Sequence, residues 1–144
     1  MDAIEIKQIE SKKRYLKRYK RNRLQVQRLE DKLITLNDRI TSARSPNLSG
    51  MPRGGIPVTT ADLIAEKQEL EDRIKRLRDK GLRYRREILD EIDSLEDVRH
   101  SEILEYFFVD GLTPEEIADV IPCNVRTVYR LYSEAVKILS MRGE

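Results

Sequence analysis

Arg126 and Arg130 stand about one helical turn apart in the stretch Asn124-Val125-Arg126-Thr127-Val128-Tyr129-Arg130. A guanidinium is a planar fork of donors, and from a helix in the major groove it pairs with guanine O6 and N7. Val125 and the Thr127 methyl suit contact with thymine methyls. Asn124 is a residue type that caps helices, so these side chains project from the first turns of a helix, the part of a recognition helix that meets base edges. Tyr129 and Lys137 flank the same surface, whereas Tyr132 reads as a packing residue. Earlier in the chain, Thr113 and the backbone N–H groups after it are placed to hold a phosphate. Thr113, Asn124, Val125, Arg126, Thr127, Tyr129, Arg130 and Lys137 are therefore the expected contacts to double-stranded DNA.

Two helices must position them. In the second, Val128, Leu131, Ala135, Val136 and Leu139 recur at helical spacing and form a buried face. The first opens with Thr113 as N-cap, Pro114 at the first helical position and Glu116 as capping-box acid. Its apolar face is Ile117, Ala118 and Ile121, and Pro122 stops it. Two helices with a tight corner between them form a helix-turn-helix. Such a pair buries too little alone. The stretch after Ser94, read as an N-cap, supplies a third helix with Val98, Ile103, Leu104, Phe107, Phe108 and Val109 on its apolar face and Gly111 at its end. His100 is expected at a surface or boundary position, and Cys123 as a small packing residue in the corner. Residues 94–144 are expected to form this helix-turn-helix domain.

Residues 1–93 read as two long helices around a loop at 42–60 that is rich in Pro, Gly and Ser. Tyr15, Tyr19, Asn22, Val26, Leu29, Leu33, Leu36 and Ile40 alternate steps of four and three, the spacing of a coiled-coil seam. Ile4, Ile9 and Leu16 add a looser second stripe. After Thr60, read as an N-cap, Leu63, Lys67, Leu70, Ile74, Leu77, Gly81, Tyr84 and Ile88 repeat that spacing. Folding the chain back sets Leu33 against Leu70, Leu29 against Ile74, Val26 against Leu77 and Tyr19 against Tyr84 in one register. It also sets the polar Asn22 opposite Gly81, the position without a side chain. The fold class expected is all-α: a long antiparallel helical hairpin followed by a small helix-turn-helix bundle. An intermolecular coiled coil, and hence a homodimer, is the alternative.

The 144 residues are 38% charged with a net charge of +2. The charge is unevenly spread. Lys12, Lys13, Arg14, Lys17, Arg18, Lys20, Arg21, Arg23 and Arg28 form one basic block, Arg73 to Arg86 a second, and Glu87 to Glu102 is acidic. The helix-turn-helix stretch from Gly111 onward is close to neutral, although phosphate neutralisation supplies much of the affinity for DNA. Lys17, Arg18, Lys20 and Arg21 are therefore expected to add backbone contacts. No nucleophile motif, paired histidine and cysteine, or phosphate-cradling glycine loop points to an enzyme, a cofactor or a metal. The lone cysteine excludes an internal disulfide. No apolar run is long enough to span a membrane and no secretory signal is present, so the expected location is the cytoplasm.

At Ile117-Ala118, Asn124, Arg126-Thr127-Val128-Tyr129 and Ala135-Val136 the chain resembles sigma-70 region 4, over roughly Ser94 to Arg142. The whole chain is similar to small phage and prophage late-gene regulators of the RinA and ArpU kind. Its loop run Ser45-Pro46 and Leu48-Ser49-Gly50-Met51-Pro52-Arg53-Gly54 resembles one branch of that group. The resemblance implies transcriptional activation of late phage genes in a bacterial host. A small-terminase-like DNA-packaging protein and a coiled-coil adaptor that binds RNA polymerase are the two alternatives.

Overall fold

Five helices make up the described part of the computed structural model, residues 2–44 and 59–139, and these residues contain no strand. They are α1 (Ala3–Arg44), α2 (Thr60–Asp93), α3 (Val98–Phe108), α4 (Pro114–Val120) and α5 (Val125–Ile138). The described residues are all-helical, with α1 and α2 antiparallel and three shorter helices after them. The loop read at 42–60 begins later than expected, since α1 continues to Arg44. Residues 45–58, including the run that carries the loop resemblance, lie outside the described residues.

The chain divides into two compact units, one of residues 23–79 and one of residues 1–22 with 80–144. In the first, Val26, Leu29 and Ile74 pack with Leu33, Leu70 and Leu77, and Leu36, Ile40 and Leu63 pack with Leu70. Both clusters join residues of the two seams, as the antiparallel register requires. Arg78 also reaches across to the Glu30 carboxylate. Thr59, not Thr60, caps α2: its Oγ1 accepts from the Asp62 N–H at 3.1 Å, and Asp62 Oδ2 accepts from the Thr59 N–H at 3.3 Å. Thr59 can use Asp62 as its reciprocal partner three residues on, which makes it the better cap of the two neighbours.

In the second unit, Leu16 from α1 and Ile88 and Ile92 from α2 are fully buried against Leu104, Phe108, Val109, Ala135, Val136 and Leu139. Sequence spacing ranked Leu16 in the looser stripe. It is buried because α1 here has two neighbours, α2 on one side and α3 with α5 on the other, so it needs a wider apolar face than a two-helix seam. Ile4 of that stripe is 68% exposed. A smaller cluster joins Ile103, Ile117, Val128 and Leu131 beneath α4 and α5. Val98, expected on the apolar face of α3, is exposed.

The cap of α3 also differs from expectation. Asp97 is the N-cap, accepting the Arg99 N–H at 2.9 Å, while Ser94 Oγ donates back to the Glu91 carbonyl at the end of α2. Both residue types cap helices. The chain uses Ser94 to finish one helix and Asp97 to begin the next. Gly111 ends the α3 corner with φ at 73°, a backbone region that side chains disfavour, and the next N–H, of Leu112, returns to the Tyr106 carbonyl at 2.9 Å.

The basic block of α1 is divided by what it touches. Lys12, 8% exposed, donates from Nζ to the Lys137 carbonyl at 3.0 Å, placing a cation on the C-terminal end of α5. Arg18 lies over the rings of Tyr15 (4.2 Å) and Tyr84 (4.5 Å) and pairs with Glu87 at 3.0 Å. The two seam tyrosines give a cation an aromatic face and so relieve the repulsion between neighbouring basic stretches.

Candidate nucleic-acid interface

The site is assembled from its corner outward. The Thr113 hydroxyl accepts the Glu116 N–H at 3.2 Å and Glu116 Oε1 accepts the Thr113 N–H at 3.3 Å, a complete capping box with Pro114 at the first helical position. Thr113, expected to hold a phosphate, therefore has its N–H and a hydroxyl lone pair engaged within the helix end, while its O–H hydrogen takes no part in these two bonds. Glu115 and Glu116 also stand in that first turn. Ile121 leaves the helix in an extended conformation, and the corner returns at Asn124.

Asn124 Oδ1 caps α5 by accepting two hydrogens of Thr127, its N–H at 2.8 Å and its Oγ1–H at 2.9 Å. The Thr127 hydroxyl is thus tied to the cap. Val125 is half-buried and Arg126 exposed. Beyond them α5 separates cleanly into faces. Val128, Leu131, Ala135 and Val136 are buried. Arg126, Arg130, Ser133 and Lys137 are all exposed. Their spacing of four, three and four puts them on one stripe of the helix. Tyr129, 53% exposed, stands beside that stripe. Tyr132 is half-buried as expected of a packing residue, its ring centroid 5.1 Å from that of Phe107 and 5.9 Å from that of Phe108. Burial raises its hydroxyl above the ordinary tyrosine range.

Sequence reasoning missed two parts of this surface. One is Lys13: Lys17, Arg18, Lys20 and Arg21 were the contacts expected from α1, and its packing beside α5 was not read. Lys13 Nζ lies 5.6 Å from the Tyr132 ring centroid and Lys20 Nζ 5.4 Å from that of Phe107. They bring positive charge against α3 and α5, and Lys17 is exposed on the same helix. Lys13 also lines, with Ile9, Ser133, Glu134, Val136 and Lys137, a hollow of about 280 Å³ between α1 and α5. The signal was present: Ile9, Lys13, Leu16 and Lys20 share one face of α1. Of the four expected backbone contacts, Lys17, Lys20 and Arg21 are exposed while Arg18 is held by Glu87.

The other is His100. At 9% exposed it takes the boundary position rather than the surface one, and what was missed is its partner: its Nε2–H donates to Glu134 Oε2 at 3.1 Å. The second oxygen of that carboxylate accepts from Arg130 Nη1 at 3.3 Å. Asp97 Oδ2 lies 4.0 Å from His100 Nδ1. The partner sits 34 residues away on another helix, so no local pattern announces it. The His100 hydrogen bond first, and the Arg130 charge after it, hold the Glu134 carboxyl below its ordinary value of 4.5. Arg99 does the same for Asp97 through its side chain and backbone N–H.

A carboxyl depressed in the folded state stabilises above its unfolded value and loses that contribution as pH falls through the folded one. The advantage of the wild-type chain over Glu134→Gln is therefore expected to shrink progressively as pH falls below 4.5. Thermal unfolding of both chains across that range measures it. A gap that widens on acidification would contradict this assignment.

A family model described as a protein of unknown function, DUF1492, matches residues 51–140. The chain belongs to the DUF1492 family. No curated protein and no solved structure matches it. The matched span holds α2 to α5, and so both helices of the corner, but not α1. Leu16, Lys12 and Lys13, which pack on or against α5, thus come from outside it. Among the described residues no helix is long and apolar enough to cross a membrane, and no group of acidic, histidine and cysteine side chains is arranged to hold a metal ion.

Proposed function

We propose that this member of the DUF1492 family is a sequence-specific DNA-binding regulator of transcription that places α5 in the major groove. The observation that carries this reading is the stripe Arg126, Arg130, Ser133 and Lys137, exposed along a helix whose opposite face is buried and whose N-terminus is capped. Side chains on such a helix reach base edges without disturbing the core. Lys13, Lys17 and Lys20 add the charge that the near-neutral helix-turn-helix lacks, and they reach phosphates rather than bases. The resemblance to sigma-70 region 4 and to RinA and ArpU regulators supports activation of late phage genes, in the cytoplasm of a bacterial host. Pairing of two copies would double a small interface.

Selection from a randomised duplex pool tests the reading. The wild-type chain is expected to enrich one sequence. Arg126→Ala is expected to weaken binding to it by about 1–3 kcal/mol and to relax preference at one base pair. Absence of enrichment at low salt would overturn sequence-specific recognition. A second reading has its own support: Glu115, Glu116, Asp119 and Val120 are all exposed on α4. An acidic helix with an apolar residue suits a protein partner, as in an adaptor for RNA polymerase. Retained polymerase binding without any duplex binding would favour that reading.

A further inference from the structure

We propose that His100 and Glu134 are positioning residues for Arg130, and that through it they set which base the chain prefers. This rests on α5 being the DNA-reading helix. Arginine is long and flexible, and a guanidinium pairs with guanine in two-pronged fashion only when its plane is aimed. An exposed pair between residues four apart is too weak to aim it. Here the carboxylate is itself held. Glu134 presents Oε1 to Arg130 Nη1 at 3.3 Å and Oε2 to His100 Nε2 at 3.1 Å.

His100 is 9% exposed on α3, whose Ile103 and Leu104 are fully buried, so the anchor sits on a helix fixed by the core and has little room to move. One bond to Nη1 leaves the remaining donors of the fork for a base edge. The charge of Glu134 argues the same way. A carboxylate on a face that meets phosphates repels them, which weakens binding to every sequence alike. A side chain that opposes general affinity while fixing a base-reading arginine acts on discrimination.

The two effects have opposite signs, and Glu134→Gln separates them. The substitution is at a surface position and keeps a hydrogen-bonding group. The test uses the full chain, the duplex that it enriches from a randomised pool, and a scrambled duplex of the same length. Glu134→Gln is expected to bind the scrambled duplex about 2–5-fold more tightly and to lose roughly 10-fold in the ratio between the two duplexes. Arg130 Nη–H signals followed by NMR without DNA give a second readout. Wild type is expected to show resolved signals from hindered guanidinium rotation, and His100→Gln to collapse them while the backbone spectrum is kept. Enrichment by wild type with an unchanged ratio in Glu134→Gln would overturn the positioning role alone. Arg130 signals indifferent to His100→Gln would overturn the anchor. No enrichment by wild type would overturn the DNA reading of α5 and this proposal with it.

Discussion

Replacing Leu16 by alanine is expected to destabilise the helix-turn-helix end of the chain by about 2–5 kcal/mol, the range for truncating a fully buried leucine. The residue lies in the middle of a run of lysines and arginines, far in sequence from α3, α4 and α5. It is nevertheless 0% exposed, in one cluster with Ile88, Ile92, Leu104, Phe108, Val109, Ala135, Val136 and Leu139. The effect is large because α1 closes this core and does not merely lead to it. Urea unfolding followed by helix signal and by the NMR lines of Val136 and Leu139 measures the loss. The same physics predicts that residues 94–144, excised, do not fold alone: they lack Leu16, Ile88 and Ile92, and a segment of that size is marginal even with a complete core. A cooperative transition in the excised segment, with Leu16→Ala neutral in the full chain, would contradict this account.

Gly81→Leu is expected to lose about 3 kcal/mol, the upper end of the usual overpacking range. On helix propensity alone a larger residue would gain about 1 kcal/mol over glycine. Packing reverses the sign. A Cβ at Gly81 would stand 3.0 Å from Asn22 Cγ and nearer still to its Oδ1. Asn22 is 7% exposed, so it has little room to move aside. A cycle of Asn22→Ala and Gly81→Ala, measured by thermal unfolding, isolates the contact. Gly81→Ala is expected to be less stable than wild type, and the added Asn22→Ala to recover the loss by vacating the space. Were Gly81→Ala alone to stabilise by the ordinary helix increment, close approach would not be the reason for the glycine.

Much of the site was legible because helix ends are local. The Thr113, Pro114 and Glu116 cap, the Asn124 cap and the buried face from Val128 to Leu139 all depend on residues within a few positions of one another. The structure has each of them as read. The hairpin register was legible for a different reason. Two seams of one period agree in more than one alignment, and it is the meeting of Asn22 with Gly81 that favours this one. Less legible were choices between equivalent local signals. Ser94 and Asp97 both suit a cap, as do Thr59 and Thr60, and the path of the chain chose Asp97 and Thr59.

Five helical segments, their capped corner, two matching apolar seams and the outward face of α5 were thus readable from residue order, while the choice of a hairpin over an intermolecular coiled coil was not. These follow from backbone propensity and apolar spacing, which act over one or two turns and along a repeating seam. Only the tertiary structure decided that α1 also covers α3 and α5, that Lys12 ends on the Lys137 carbonyl, and that His100 is buried behind Glu134 and Arg130. Periodicity shows that a helix has an apolar face but not which neighbour fills it. An ion's partner 34 or 125 residues away is set by packing alone.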